Sequence, residues 1–354
     1  MARTSSCIVL RSRAKGLAFW KKASRWNSRS RKRRRGHRPS ALLPCRRTRI
    51  KRNGKVYRTL VNEIADDRLS GASDLAAKGA AALAAFVLEC PATSADEFWD
   101  ELVDVARALR RAQPAMAPLL HLADRALRAA QNLDDVRSMR EAVRQAVEAF
   151  RTGLRAGAEQ IARAGADLVV DGATVVTVSH SSAVAGALLY ARRDGKRLRV
   201  ICPESRPLYE GRELARRLAA AGIEVTLTVD AAVPALVAQA DLALAGADGM
   251  TAQAVINKVG TYPLALAAQA HAVPLYALAG REKFWPPGVE SEIENRDPGE
   301  IWPDPAAGVA IVNRYFEAVP LALFTGLVTA AGILPPDEVR QRVSALVVHP
   351  ALTE

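Results

Sequence analysis

Aromatic residues make up only 5% of this 354-residue chain, and there are only four cysteines, at positions 7, 45, 90 and 202. No two of the cysteines form a CxxC pair, so neither a zinc site nor a disulfide framework is indicated. No apolar run reaches about 18 residues without a charge, which excludes a membrane-spanning helix by length. No signal-peptide pattern is visible either. Acidic residues are missing altogether from residues 1–60, where 21 of the 50 Lys and Arg fall. Residues 61–354 therefore hold 29 basic side chains against 37 acidic ones, a net charge of −8. The formal charge of +13 belongs to one end of the chain, and the rest is mildly acidic.

That basic end, with "SRSRKRRRGHRPS" at its centre, lacks the apolar periodicity needed to bury a core and is expected to be disordered. It would hold polyanions without selectivity, but nothing in it is arranged to read bases, so no specific nucleic-acid partner is expected. Its Arg- and Ser-rich, acid-free composition also fits a transit peptide. A further reading is that translation starts near Val61, where "VNEIADDRLSGASDLAAKGAAALAAF" resumes ordinary protein composition. The body reads as a cytosolic protein of a reducing compartment, without a membrane partner.

Residues 61–165 carry a helical, alanine-rich pattern. Val136, Met139, Val143, Val147, Phe150 and Leu154 recur at spacings of three and four and share one helix face. Ser94 or Asp96 is the candidate N-cap after the break at Pro91. From residue 166 to 354 the period changes. "ATVVTVS", "LRVICP", "EVTLTV", "DLALAG" and "VPLYALAG" alternate with helical segments such as "GRELARRLAAAG" and "TYPLALAAQAHA". Near-continuous hydrophobic strands separated by helices predict a parallel sheet covered on both faces. The fold class is therefore α/β, a helical N-terminal domain followed by a Rossmann-like, doubly wound domain. In such sheets ligands bind beyond the carboxyl ends of the strands.

Each strand end carries something polar. The first reads "SHSSA". Ser179 and His180 would suit a nucleophile and its base, but the glycines of a G-x-S-x-G elbow are missing and adjacent side chains on an extended segment diverge. Ser181 and Ser182 lie where a helix begins, where hydroxyls and free N–H groups suit an anion; plain N-capping would account for one of them. The second end, "PESRPLYEG", offers Glu204 and Arg206, either as ligand groups or as an ion pair. At the third, Asp230 is expected to cap the next helix. The fourth, "LAGADGMTAQAVINKVGTYPLA", brings Asp248, Asn257 and Lys258. A carboxylate, an amide and an ammonium there can bind a polyol phosphate and move protons, or else cap a helix and meet solvent. The fifth, "AGREKFWPPG", brings Lys283 beside aromatic residues that can act as a lid.

Taken in order, "AMAPLLHLADRAL", "SHSSAV", "PESRPLYEG", "VDAAV", "GADGM…INKVGTYPLA", "REKFWP" and "NRYFEAVP" resemble one superfamily. It contains the alpha, beta and delta subunits of eukaryotic initiation factor 2B, ribose-1,5-bisphosphate isomerase and methylthioribose-1-phosphate isomerase. The resemblance runs from about Asp67 to the end and leaves residues 1–60 without a counterpart. It implies a phosphorylated small-molecule ligand, no cofactor, and dimers or higher homo-oligomers. It also implies that Asp248 is the proton-transferring carboxylate and that Asn257 and Lys258 hold the substrate, with Ser181, Ser182, Ala183 and Arg206 in the binding stretches. Lys283 matches a ligand-binding lysine of the ribose bisphosphate branch.

Four positions depart from the isomerases. Ser179 stands where they place a catalytic cysteine, and a serine alkoxide is inaccessible near neutrality without a base. Ser70-Gly71-Ala72 replaces a phosphate-gripping Arg-Gly-Ala, Gln113 replaces an arginine, and Glu210 replaces a substrate-contacting glutamine. Two lost arginines remove charge-assisted bonds of roughly 1.5–3 kcal/mol each. The expected function is therefore binding of a phosphorylated sugar or nucleotide-like ligand with weak or altered catalysis. The alternatives are an aldose–ketose isomerase of a sugar 1-phosphate and a non-catalytic regulatory or scaffold subunit acting in translation initiation.

Overall fold

The computed structural model describes residues 56–67, 70–289, 293 and 295–353. The disorder expected for residues 1–55 lies outside these residues. For residues 56–60 the expectation is corrected, because helix α1 spans Val56–Asp66. Tyr57, Val61 and Ile64 recur at helical spacing and are buried, and the Tyr57 ring meets Phe86 edge-on at 5.4 Å.

The helical part continues with α2 (Ala72–Glu89), α3 (Ala95–Ala112), α4 (Ala117–Ala130) and α5 (Val136–Asp167). Ser94 is the cap of α3, accepting the Glu97 N–H at 3.3 Å, while the Glu97 carboxylate accepts the Thr93 N–H at 3.0 Å. Together these satisfy donors that the first turn leaves orphaned. On α5, Met139, Val143, Val147 and Phe150 are buried as the spacing requires, and Val136 and Leu154 pack at the edge of the same core. Arg140 of α5 donates to the carbonyls of Val87, Cys90 and Ala92, closing the C-terminal end of α2. Replacing it by methionine leaves three partly buried acceptors without a charged donor. Arg140→Met is therefore expected to cost roughly 1–3 kcal/mol, read by urea denaturation.

The second part alternates strands and helices: β1 (Ala173–Thr177), α6 (Ser182–Arg193), β2 (Leu198–Pro203), α7 (Glu210–Ala220), β3 (Glu224–Thr228), the single turn α8 (Val233–Leu236) and β4 (Leu242–Ala245). There follow β5 (Gly249–Met250), β6 (Ala254–Lys258), α9 (Thr261–Ala270), β7 (Leu275–Leu278), β8 (Phe316–Pro320), β9 (Gly326–Thr329), β10 (Gly332–Leu334) and α10 (Pro336–Ser344). Seven strands form one sheet in the order β10-β9-β7-β4-β1-β2-β3, and all pairs are parallel except β9 with β10. The central strands β1 and β4 are buried throughout, which is why they read as unbroken apolar runs rather than alternating ones. Among the described residues no helix is long and apolar enough to cross a membrane.

Two features of this topology position the site. The chain winds from β1 outward to β3 on one side, then crosses back to place β4 on the other side of β1. The strand order reverses between β1 and β4, and a crevice opens beyond their carboxyl ends at such a switch point. A small antiparallel sheet, β5-β6-β8, then folds back beside that crevice, with Lys258 paired in register with Phe316.

Candidate functional site

The crevice begins where β1 ends. Ser179 takes a left-handed backbone (φ 58°) and donates its N–H to Ser205 Oγ at 3.0 Å. Ser205 is itself left-handed (φ 62°), as is Tyr209 (φ 61°), the residue before α7. Three non-glycine residues held in this region at two neighbouring strand ends mark backbone kept out of its preferred wells, a condition that collects at binding and catalytic sites. Ser181 is the N-cap of α6 and accepts the Val184 N–H at 3.4 Å. Ser182 opens the helix and is exposed, with Ala183 next to it.

Across the switch point β4 ends in Gly246, Ala247 and Asp248. A Cβ on Gly246 would come 2.6 Å from Ser181 Oγ and 3.5 Å from Asn257 Oδ1, so only glycine lets these groups share the space. Asn257, 5% exposed, donates to Thr261 Oγ1 at 2.9 Å, and Thr261 in turn donates to the Lys258 carbonyl at 2.6 Å. The turn between β6 and α9 thereby holds the Asn257 oxygen toward Gly246. Lys258, 4% exposed, pairs with Glu210 Oε1 at 2.6 Å and lies 4.7 Å over the Tyr315 ring. Lys283, 9% exposed, donates to the Ala247 carbonyl at 2.5 Å.

Asp248 sits among these groups. Its backbone N–H goes to Ile256, and among the described residues no group hydrogen-bonds its carboxylate. Burial pushes the Asp248 carboxyl above the ordinary range against the opposing fields of Lys283 and Lys258, and Glu210 adds to the rise. Serine 181, Asp248, Asn257, Lys258 and Lys283 thus gather at one strand-end crevice, together with Glu210. Burial, with Arg217, lowers the His180 imidazole from its usual value, while Glu213, Glu210 and Asp74 pull the other way.

Among the described residues three buried polar atoms have no partner: Thr177 Oγ1, Glu210 Oε2 and Trp285 Nε1. Thr177 ends β1, Glu210 opens α7, and a Cβ on Gly249 would fall 2.6 Å from Trp285 Nε1. All three therefore belong to the neighbourhood of the crevice, where an unsatisfied polar group points to a bound partner.

Other side chains are placed differently from their sequence expectation. The Gln113 amide donates to the carbonyls of Ile64 (2.8 Å) and Asp67 (2.9 Å), tying down the end of α1. Ser70 donates its N–H to Asp67 Oδ1 at 2.9 Å and accepts from Lys78 at 3.0 Å, while Gly71 is the N-cap of α2, which Ala72 begins. The capping role expected for Asp230 is corrected: its carboxylate accepts the N–H groups of Ser205 and Arg206, at 3.0 and 3.1 Å. Two chain-reversed donors on a left-handed turn outcompete the single short turn that follows Asp230. Glu204 pairs with Arg212 at 2.6 Å and not with Arg206; the exposed Arg206 guanidinium lies 5.6 Å over Tyr209. Burial pushes the Cys202 thiol up to about 11, so it is no nucleophile.

Sequence reasoning did not single out Tyr315, Trp285, Thr177 or Ser205. Tyr315 donates to Glu300 Oε2 at 2.6 Å, and burial with that bond raises its hydroxyl well above its ordinary value. Its only signal was its place inside "NRYFEAVP".

Comparison with known proteins agrees with this architecture. The pattern of the Initiation factor 2 subunit family matches residues 68–336. A ribose 1,5-bisphosphate isomerase of Archaeoglobus fulgidus is 33% identical over 271 residues, covering 73% of this chain and 86% of that protein. A methylthioribose-1-phosphate isomerase of Gemmatimonas aurantiaca is 38% identical over 250 residues, covering 66% and 72%. The crystal structure of the Pyrococcus horikoshii OT3 translation initiation factor eIF-2B superposes with a TM-score of 0.70 at 31% identity, over 80% of this chain and 98% of that one. The α/β class with a helical N-terminal part is the architecture of that structure. The chain belongs to the Initiation factor 2 subunit family.

Proposed function

We propose that this protein binds a phosphorylated sugar in the crevice between β1 and β4, with Asp248 as the group that carries protons. The observation that supports this most is the Asp248 carboxyl itself: partly buried, raised, bonded to no donor among the described residues and set beside Lys258 and Lys283. A general acid–base works best when its pKa approaches the working pH, and a carboxylate so placed can take a proton from one carbon of a sugar and return it to the next. That is the step of an aldose–ketose isomerisation, and it needs no external oxidant or reductant. Two relatives carry sugar-phosphate isomerase names, which favours this substrate class. Ser181 and Ser182 at the start of α6 are assigned to the phosphate, Asn257 and Lys283 to the sugar.

Turnover is assigned a low value. Lys258 is engaged by Glu210, and Ser179 offers a hydroxyl where the isomerases have a thiol. The same Glu210 contact favours a second reading, ligand binding without turnover. A homo-oligomer, a cytosolic location and the division into a basic tail, a helical domain at 61–165 and an α/β domain at 166–354 are further parts of the proposal.

Thermal shift with ribose 1-phosphate and ribose 1,5-bisphosphate, followed by turnover assays, tests it. Stabilisation without turnover selects the second reading, and no stabilisation by either leaves a scaffold role. Asp248→Asn is expected to abolish any turnover while raising the melting temperature. The folded state holds the Asp248 proton more tightly than the unfolded chain does. Stability therefore falls as pH rises from the ordinary aspartate range through the raised value, and stays lowered above it. The neutral amide avoids that penalty, so the variant should melt roughly 2–4 °C higher at neutral pH. The difference should vanish below about pH 4, where both states of the wild type are protonated. A lower melting temperature at neutral pH would contradict the assignment.

A further inference from the structure

We infer that Glu210 restricts the ligand to a monophosphorylated polyol whose other end presents a hydrogen-bond donor, either hydroxyl or ammonium. The inference rests on the sugar-phosphate reading above and adds the charge and end-group of the substrate. Four ionisable groups meet in the crevice: Asp248, Glu210, Lys258 and Lys283. Two are acidic and two basic, so their formal charges cancel. Both cations are already engaged, Lys258 by Glu210 Oε1 at 2.6 Å and Lys283 by the Ala247 carbonyl at 2.5 Å. The start of α6, with Ser181 and Ser182, offers its N–H and hydroxyl groups to one anion. The two lysines of the crevice floor are thus both committed before a second anion arrives.

Glu210 also has a requirement of its own. Its Oε1 is satisfied by Lys258, but its Oε2 is buried and bonds to no group among the described residues. An ionised carboxylate oxygen can only accept. A second phosphate brings mainly acceptors and negative charge, so it repels this oxygen. A methylthio end brings no donor and leaves the oxygen unpaired. A hydroxyl or an ammonium supplies the missing bond. The side chain is positioned for this by the left-handed Tyr209 (φ 61°), which turns the chain into α7 with Glu210 as its first residue.

The test is isothermal titration of wild type and Glu210→Gln with ribose 1-phosphate, ribose 1,5-bisphosphate and methylthioribose 1-phosphate. Wild type is expected to bind ribose 1-phosphate about tenfold or more tighter than either of the others. Glutamine keeps the size and can still accept from Lys258, but it removes the charge and adds a donor. In the variant the preference for monophosphate over bisphosphate is expected to fall by about tenfold or to reverse. Wild type preferring the bisphosphate, or the methylthio sugar, overturns the inference and leaves the sugar-phosphate reading standing. An unchanged preference in Glu210→Gln overturns the assignment to this residue. Binding of none of the three by folded wild type overturns both readings together. If the variant does not fold, the wild-type order of affinities alone decides.

Discussion

Gly211→Ala should lower the stability of this protein by roughly 3 kcal/mol or more, the upper end for an added methyl group with no room to move. A Cβ at Gly211 would stand 1.8 Å from the Pro203 carbonyl oxygen, 2.9 Å from the carbonyl carbon and 3.1 Å from Ser205 Oγ. The first two belong to backbone at the end of β2, a strand hydrogen-bonded to β1 and β3, so the obstacle cannot rotate aside as a side chain would. The first turn of α7 must retreat instead, carrying Glu210 away from Lys258 and disturbing Ser205, which holds the Ser179 N–H. At roughly 1.5 °C per kcal/mol for a chain of this size, the melting temperature should fall by about 4–5 °C or more. Gly153→Ala is the matched control. It lies inside α5 with nothing within 4 Å of its added Cβ, and helix propensity there favours alanine by about 0.5–1 kcal/mol. The same chemical change is thus expected to have opposite signs at the two positions, read by calorimetry on both variants.

The contrast between these glycines bears on what a sequence discloses. β1, β4 and β7 are legible because burial leaves near-continuous apolar runs, β2 and the exposed edge strand β3 by their β-branched and apolar residues, and the order of the five along the chain implies parallel pairing. With the sheet in view each strand end is a place to look, and this is what brings Ser181, Asp248, Asn257, Lys258 and Lys283 into the candidate site. The antiparallel sheet β5-β6-β8 was not legible. β5 has two residues, and β6 pairs with a strand almost sixty positions later whose last residue is proline, so neither length nor alternation announces it. That sheet is nevertheless what fixes Lys258 and brings Tyr315 beneath it. The contacts of Gln113 and Asp230 are not legible for a related reason. Their partners are backbone groups of distant turns, the Ile64 and Asp67 carbonyls and the Ser205 and Arg206 N–H groups, and no spacing rule reports such contacts. The start of α1 was missed because Tyr57 and Val61 straddle the point where the charge density changes; composition averaged over a window hid a helical period already under way.

Lys258→Met is the second substitution with a large expected effect, and a double variant reveals its cause. The ammonium is nearly inaccessible, pairs with Glu210 at 2.6 Å and lies 4.7 Å over the Tyr315 ring. Removing it leaves both Glu210 oxygens without a donor and takes away one of the two cations that restrain the rise of the Asp248 pKa. Breaking a buried pair from one side typically costs about 3–5 kcal/mol, because the surviving charge is left unpaired. Urea denaturation of Lys258→Met should show a loss of that order, and ligand binding should weaken with it. Replacing both partners removes the stranded charge, and well-packed apolar pairs at such sites are often as stable as the ion pair. Glu210→Leu combined with Lys258→Met should therefore recover most of the loss, coming within about 1 kcal/mol of wild type. A double variant as unstable as the single one would mean that Lys258 acts through Tyr315 or Asp248 rather than Glu210. Recovery of stability without recovery of binding would mark the pair as a cost the fold carries for its ligand, since apolar side chains would then hold the structure equally well and only the charged ones serve the crevice.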